Sequence, residues 1–172
     1  HKCVYDAVRR VKAEHIQGTP ADNNKAQQYL DEAWENKGPK EHYLEKIYKE
    51  AAQKMVSNAV RRIRAAAKLV SNDLEITLSA GKISLSLDHA EVGDANDSDS
   101  KTVFLQRFRT GKPSKTENDK PIYGLIHKAA ADIYPNSEPR LQILYLGADF
   151  AEDVPLTKQK ISNRVEKYNK AM

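Results

Sequence analysis

Between Ile83 and Lys112 the chain twice adopts the period-two pattern of a β-strand, and both times the pattern ends in charge. In Ile83-Ser84-Leu85-Ser86-Leu87-Asp88 apolar and polar side chains alternate, so Asp88 belongs to the face opposite the apolar row. In Val103-Phe104-Leu105-Gln106-Arg107-Phe108-Arg109 the same period puts Arg107 and Arg109 on one side of their strand. The spacing predicts strands from Ile83 to Val92 and from Thr102 to Arg109, lying as neighbours in one sheet. Asp88 is then expected close to Arg107 and Arg109, paired with one of them.

The rest of the chain frames these strands with helices. Val4, Ala7, Val8 and Val11 recur at three and four, predicting a helix that ends near Gly18-Thr19-Pro20. Ala26, Tyr29, Leu30, Ala33 and Trp34 predict a second, stopped by Gly38-Pro39. A third, long helix is expected from Lys40 to Val70, with Tyr43, Leu44, Ile47 and Tyr48 among its apolar row, packing across a sheet. A strand from Glu75 to Leu78 and a tight turn at Ser79-Ala80-Gly81-Lys82 precede Ile83. After Lys112 come a helix from Pro121 to Tyr134 and a strand from Leu141 to Leu146, parallel to the strand before the crossover. A last helix, with Thr157 as N-cap, is expected to bury Ile161, Val165 and Tyr168. The expected fold is α/β: a mixed central sheet flanked by helices, with a helical lead-in over 1–72 and an α/β core over 73–172, together one domain.

Composition excludes several classes. With 172 residues, 40% of them hydrophobic and 30% charged, the chain can fill one good core. No apolar run approaches the roughly 18 residues of a membrane span, and no signal peptide opens the chain, so a cytoplasmic protein is expected. Its one cysteine, Cys3, makes no internal disulfide and alone builds no zinc or iron-sulfur site; its helical spacing marks a core residue. There is no phosphate-binding glycine loop, and His1, His15, His42, His89 and His127 show no metal-ligand spacing. The aspartates between Gly93 and Ser100 lack the glycine and distal glutamate of a calcium loop and read as a solvated turn. Trp34 and the eight tyrosines read as packing residues.

The net charge of +4 matters less than its distribution. Lys101, Arg107, Arg109, Lys112 and Lys115 form an acid-free stretch, and Arg61, Arg62, Arg64 and Lys68 form a second cluster on the third helix. Such clusters suit phosphate contact, since each neutralised phosphate releases counterions; a solvated face is the plainer interpretation of the same residues.

In order and spacing the chain resembles a RecB-like domain of the PD-(D/E)XK nuclease superfamily, in the form attached to the C-terminus of UvrD/Rep-type DNA helicases. The residues that carry the likeness are Trp34 in the lead-in, Glu75 opening a strand, SLSLDHAEV, FRTGK, the helix PIYGLIHKAAADIY, the strand LQILYLG and a closing helix. In that family an acid on one strand and an acid-x-lysine on the next bind a divalent metal through hard oxygen ligands. The resemblance implies that Asp88 occupies the metal-binding aspartate position, that Arg107 replaces the second acid and that Arg109 replaces the lysine. Tyr123 and His127 stand where the family often carries glutamine and tyrosine, and His1 matches the histidine of its first motif. It also implies a fragment of a larger protein, and some relatives complete an iron-sulfur cluster with late cysteines that this sequence does not reach.

From the resemblance comes the expectation of a nuclease-like, DNA-binding accessory domain of a helicase, repair or recombination protein, without nuclease activity and without a cofactor. Its partners would be DNA and helicase motor domains in the same or an associated chain. The DNA contacts would come from Lys101, Arg107, Arg109, Lys112 and Lys115, with Arg61, Arg62 and Arg64 as a second contact. One alternative is an active exonuclease using magnesium or manganese, with Asp88, Glu91 or Glu75 as ligands and Lys112 or Lys128 in the lysine role. Another is a protein-interaction module whose basic strand meets an acidic partner.

Overall fold

The computed structural model describes residues 1–63, 68–69, 73–79, 81–94 and 101–171. They divide into two compact units. The first comprises His1–Ala67 with the short returns Arg109–Lys112 and Tyr145–Phe150; the second comprises Lys68–Phe108, Pro113–Leu144 and Ala151–Met172. The division between helical lead-in and α/β core thus falls at 67/68 rather than 72/73.

Three helices that pack pairwise build the first unit: α1 (Lys2–Ile16), α2 (Asn23–Lys37) and α3 (Glu45–Arg62). Each contributes a stripe at three- and four-residue spacing: Val4, Ala7, Val8 and Val11; Ala26, Leu30, Ala33 and Trp34; Ala52, Val56, Ala59 and Val60. Fully burying a side chain such as Leu30 contributes about 1.5–3 kcal/mol. Cys3 is a free, buried residue of this core, its Sγ 3.6 Å from the Ala33 carbonyl oxygen. Asp22 caps α2 by accepting the Asn24 N–H at 2.9 Å. At the other end Gly38 donates to the Trp34 carbonyl, and a Cβ at 38 would lie 2.6 Å from that oxygen, so the close approach itself demands glycine.

The third helix is shorter than its sequence pattern. Lys40 to Leu44 form a turn, with Glu41 at φ 63°, and Ile63 is already extended at φ −78°, ψ 103°. Leu69, expected inside the helix, lies instead in β1 (Lys68–Leu69), paired antiparallel with Glu91 and Val92. Strand pairing therefore overrides the good helix propensity of Lys68 and Leu69. The apolar row expected at the helix start is not core: Tyr43 is 87% and Ile47 59% exposed.

The second unit contains the hairpin β2 (Asp73–Leu78) and β3 (Gly81–Ser86), in register from Asp73↔Ser86 to Leu78↔Gly81. A two-residue connection joins them, and Gly81 has a φ of 141° that disfavours any side chain. The larger sheet has the order β1-β4-β5-β6-β7, with β4 (His89–Asp94), β5 (Lys101–Arg109), β6 (Ser137–Tyr145) and β7 (Phe150–Asp153). The single strand expected from Ile83 to Val92 is thus two strands in two sheets. The chain changes sheet at Leu87-Asp88, where Asp88 spends its N–H on the Gln106 carbonyl at 3.1 Å. β4 and β5 run antiparallel from His89↔Gln106 to Asp94↔Lys101. Gln106 meets Gln142, and Arg109 accepts from the Leu146 N–H, so β5 and β6 run parallel.

A 3-10 turn (Glu117–Asp119) leads into α4 (Ile122–Ile133), which packs on β2; α5 (Lys158–Ala171) packs on α4 and β2. Thr157 caps α5, accepting the Lys160 N–H at 3.3 Å. Ile161, Val165 and Tyr168 are only half-buried, because α5 covers one side of α4 and faces solvent elsewhere. Among the described residues no helix is long and apolar enough to cross a membrane.

Candidate functional site

The sheet change at Leu87-Asp88 brings the acid onto β5. Asp88 Oδ2 accepts the Phe108 N–H at 2.7 Å and lies 3.4 Å from Arg107 Nε. The carboxylate therefore occupies a place in the ladder beyond the end of β4, gripping the backbone of one residue and the guanidinium of its neighbour. Both side chains are about a quarter exposed. Val103 and Leu105 share the Arg107 side of β5 and are fully buried, which fixes the direction of the strand beneath the pair. Such an arrangement gives a charge-assisted, half-buried anchor. Among the described residues no group of three or more His, Cys, Asp or Glu side chains could hold a metal ion. Glu75 is an exposed residue of β2, bridged to Lys82 at 3.9 Å, and is not gathered with Asp88.

The face of β4 and β5 opposite Arg107 is polar yet buried, which period-two reasoning alone does not reveal. His89 and Glu91, both essentially inaccessible, meet at 3.0 Å between Nε2 and Oε2. Gln106, in register with His89, donates to Gln142 Oε1 at 3.0 Å; Gln142 donates to Asp153 at 2.8 Å. Arg140 closes the row, its NH2 2.6 Å from Asp153 Oδ2 and its guanidinium 5.9 Å from the Phe104 ring. Hydrogen bonding to Arg140 holds the Asp153 carboxyl below its ordinary pKa. Glu91, one of the acids considered as a metal ligand, is thus enclosed beside His89. The signal available in the sequence was the set His89, Glu91, Gln106 and Gln142, polar residues recurring at strand period among apolar ones.

The basic residues divide by environment. Lys112 and Lys115 are exposed on the segment that follows β5, and neither has an ion-pair partner among the described residues. Arg109 is half-buried. Lys101 opens β5. Arg61 and Arg62, expected as a second phosphate contact, both reach Asp149 within the first unit. Arg61 pairs with Asp149 Oδ2, and Arg62 NH2 lies 3.2 Å from Asp149 Oδ1. The nearby Asn58 donates to the Leu146 carbonyl at 2.7 Å. Hydrogen bonding to Arg61, followed by that to Arg62, holds the Asp149 carboxyl below its ordinary pKa. Arg64 lies outside the described residues, as does most of the aspartate-rich stretch, 95–100.

The two helix positions flagged by the resemblance differ from each other. Tyr123 is wholly buried, its hydroxyl donating to Glu117 Oε1 at 2.6 Å, while Lys120 reaches the other Glu117 oxygen at 2.5 Å. Glu117, a buried acid inside a polar turn, was not foreseen from the sequence. His127 lines a groove beside α5, and Lys128, considered for the lysine role, pairs with Asp132 one turn on. Burial pushes the His127 imidazole pKa down. The chain matches no family model and no curated protein.

Proposed function

We propose that the chain is a nuclease-like domain whose metal site has become an ion pair, and that it binds DNA backbone without cutting it, in the service of a helicase or recombination enzyme. The observation that carries this reading is the Asp88 carboxylate engaged by the Phe108 N–H and the Arg107 guanidinium. A cation occupies the place a second acid would need. A unit charge pair at about 4 Å is worth roughly 4 kcal/mol at an effective dielectric of 20, and a dication beside Arg107 would meet about twice that as repulsion. Exposed Lys112 and Lys115 supply phosphate contact, which is independent of base sequence.

The experiment is a calorimetric titration with manganese together with a cleavage assay on linear DNA. The expected outcome is no metal binding at Asp88 and no cleavage, in the intact chain and in Asp88→Ala alike. Metal-dependent cleavage that disappears in Asp88→Ala would instead make the chain an active nuclease.

A further inference from the structure

The groove between α4 and α5 plays no part in the function proposed above. It has a volume of about 500 Å³, and every residue that lines it belongs to one of these two helices, so it is a trough with two helical walls. Its floor is apolar: Ala131 from α4, Ile161 and Val165 from α5. Lys158, Ser162, Glu166 and Asn169 follow one another along α5 beside that floor, so at 1.5 Å per residue the trough runs roughly 16 Å along the helix. Ile161 and Val165 are left half-buried by the packing of α5 on α4.

The helix α5 that forms one wall is predominantly basic, and the acids at the trough are paired. From Lys158 to Lys170 α5 carries Lys158, Lys160, Arg164, Lys167 and Lys170 against the single acid Glu166. Glu166 is paired with Lys170 at 2.7 Å, and on the opposite wall Lys128 is paired with Asp132. Lys158 has no ion-pair partner among the described residues. A nucleic-acid backbone would gain nothing from the apolar floor, whereas the apolar ridge of a helix, with side chains at i, i+3, i+4 and i+7, would cover it.

We propose that this trough receives an amphipathic helix of a partner protein, its apolar ridge on Ala131, Ile161 and Val165 and its acidic flank against Lys158. The inference stands apart from DNA binding, since it uses neither Lys112 nor Lys115.

The test follows the fluorescence anisotropy of a labelled designed helix, with leucines at i, i+3, i+4 and i+7 and flanking glutamates, titrated with the full chain. A second peptide carries lysine for each glutamate. The glutamate peptide is expected to bind the more tightly, and Lys158→Glu to weaken it several-fold and reverse the preference. Val165→Glu should abolish binding, as should Ser162→Trp, which fills the trough from an exposed position where folding is not at stake. Circular dichroism checks that each variant is folded. The Lys112→Glu, Lys115→Glu double variant should bind the peptide normally, so that failure of the DNA reading and of this one can be told apart. Equal binding of the two peptides overturns the proposal, and so does binding that both Val165→Glu and Ser162→Trp leave intact. Displacement of the peptide by duplex DNA would overturn it by giving the trough to nucleic acid. Loss of phosphatidylserine-vesicle binding in these variants, with no peptide binding in the intact chain, would overturn it in favour of a membrane.

Discussion

Asp88 holds two partners with one oxygen, and replacing it should separate their contributions. Asp88→Ala leaves the Phe108 N–H without its acceptor and the Arg107 guanidinium without its ion-pair partner, and should cost about 1–2 kcal/mol, water at this half-buried site replacing part of what is lost. Asp88→Asn keeps an acceptor for the N–H and loses only the charge, so it should cost less than the alanine variant. Urea denaturation of both variants checks the ranking. Asp149 makes a prediction about pH. Its folded-state pKa is depressed by Arg61 and Arg62, so the stabilisation it contributes is complete above the unfolded value of about 3.8 and is lost as pH falls through the lower folded value. Thermal melts of Asp149→Asn should show a small deficit at neutral pH that disappears in acid; a deficit unchanged down to the acid limit would contradict the assignment. The effect is modest because the pair is largely exposed.

Helix α4 meets α5 across Gly124, where a Cβ would lie 2.6 Å from the Arg164 Cβ. Gly124→Ala should therefore cost about 1–3 kcal/mol through overpacking, despite alanine's better helix propensity, and should loosen α5. Hydrogen exchange of the α5 amides is the measurement. The same helix carries His127, whose folded-state pKa is lowered by burial. Between the folded value and the unfolded value of about 6.5 the unfolded chain binds more protons, so stability should fall as pH drops through that window. His127→Gln should flatten this dependence. Helices α1, α2 and α4 were legible because apolar residues at three- and four-residue spacing met strong boundary signals, Gly38-Pro39 at the end of α2 and Pro121 at the start of α4 among them. The end of α3 was not, because Leu69 is claimed by Glu91 across β1 and β4, a partner more than twenty residues on that no local pattern announces. The split of the Ile83 strand was hidden for a related reason: Leu85 and Leu87 are both buried, so the alternation continues through the point where the chain changes sheet.

Across the whole molecule the candidate site was legible in its charged pair and illegible in its surroundings. Asp88 and Arg107 were expected together from two period-two strands, and they lie together. That Arg61 and Arg62 would be engaged by Asp149 depends on a turn at 146–149 that the sequence marks only as the end of a strand. The polar row from buried His89 to exposed Asp153 depends on the register among four strands, which propensity does not set. DNA contact in the proposed function is assigned first to Lys112 and Lys115, which are exposed and have no ion-pair partner among the described residues. Its most direct test is the affinity of the chain for duplex oligonucleotides of unrelated sequence across a salt series, beside the Lys112→Glu, Lys115→Glu variant. Binding should weaken with salt equally for every sequence, and the slope of log affinity against log salt should lessen by about 0.9 for each lysine removed. Undetectable binding at low salt, or a slope that the double variant leaves unchanged, would contradict it.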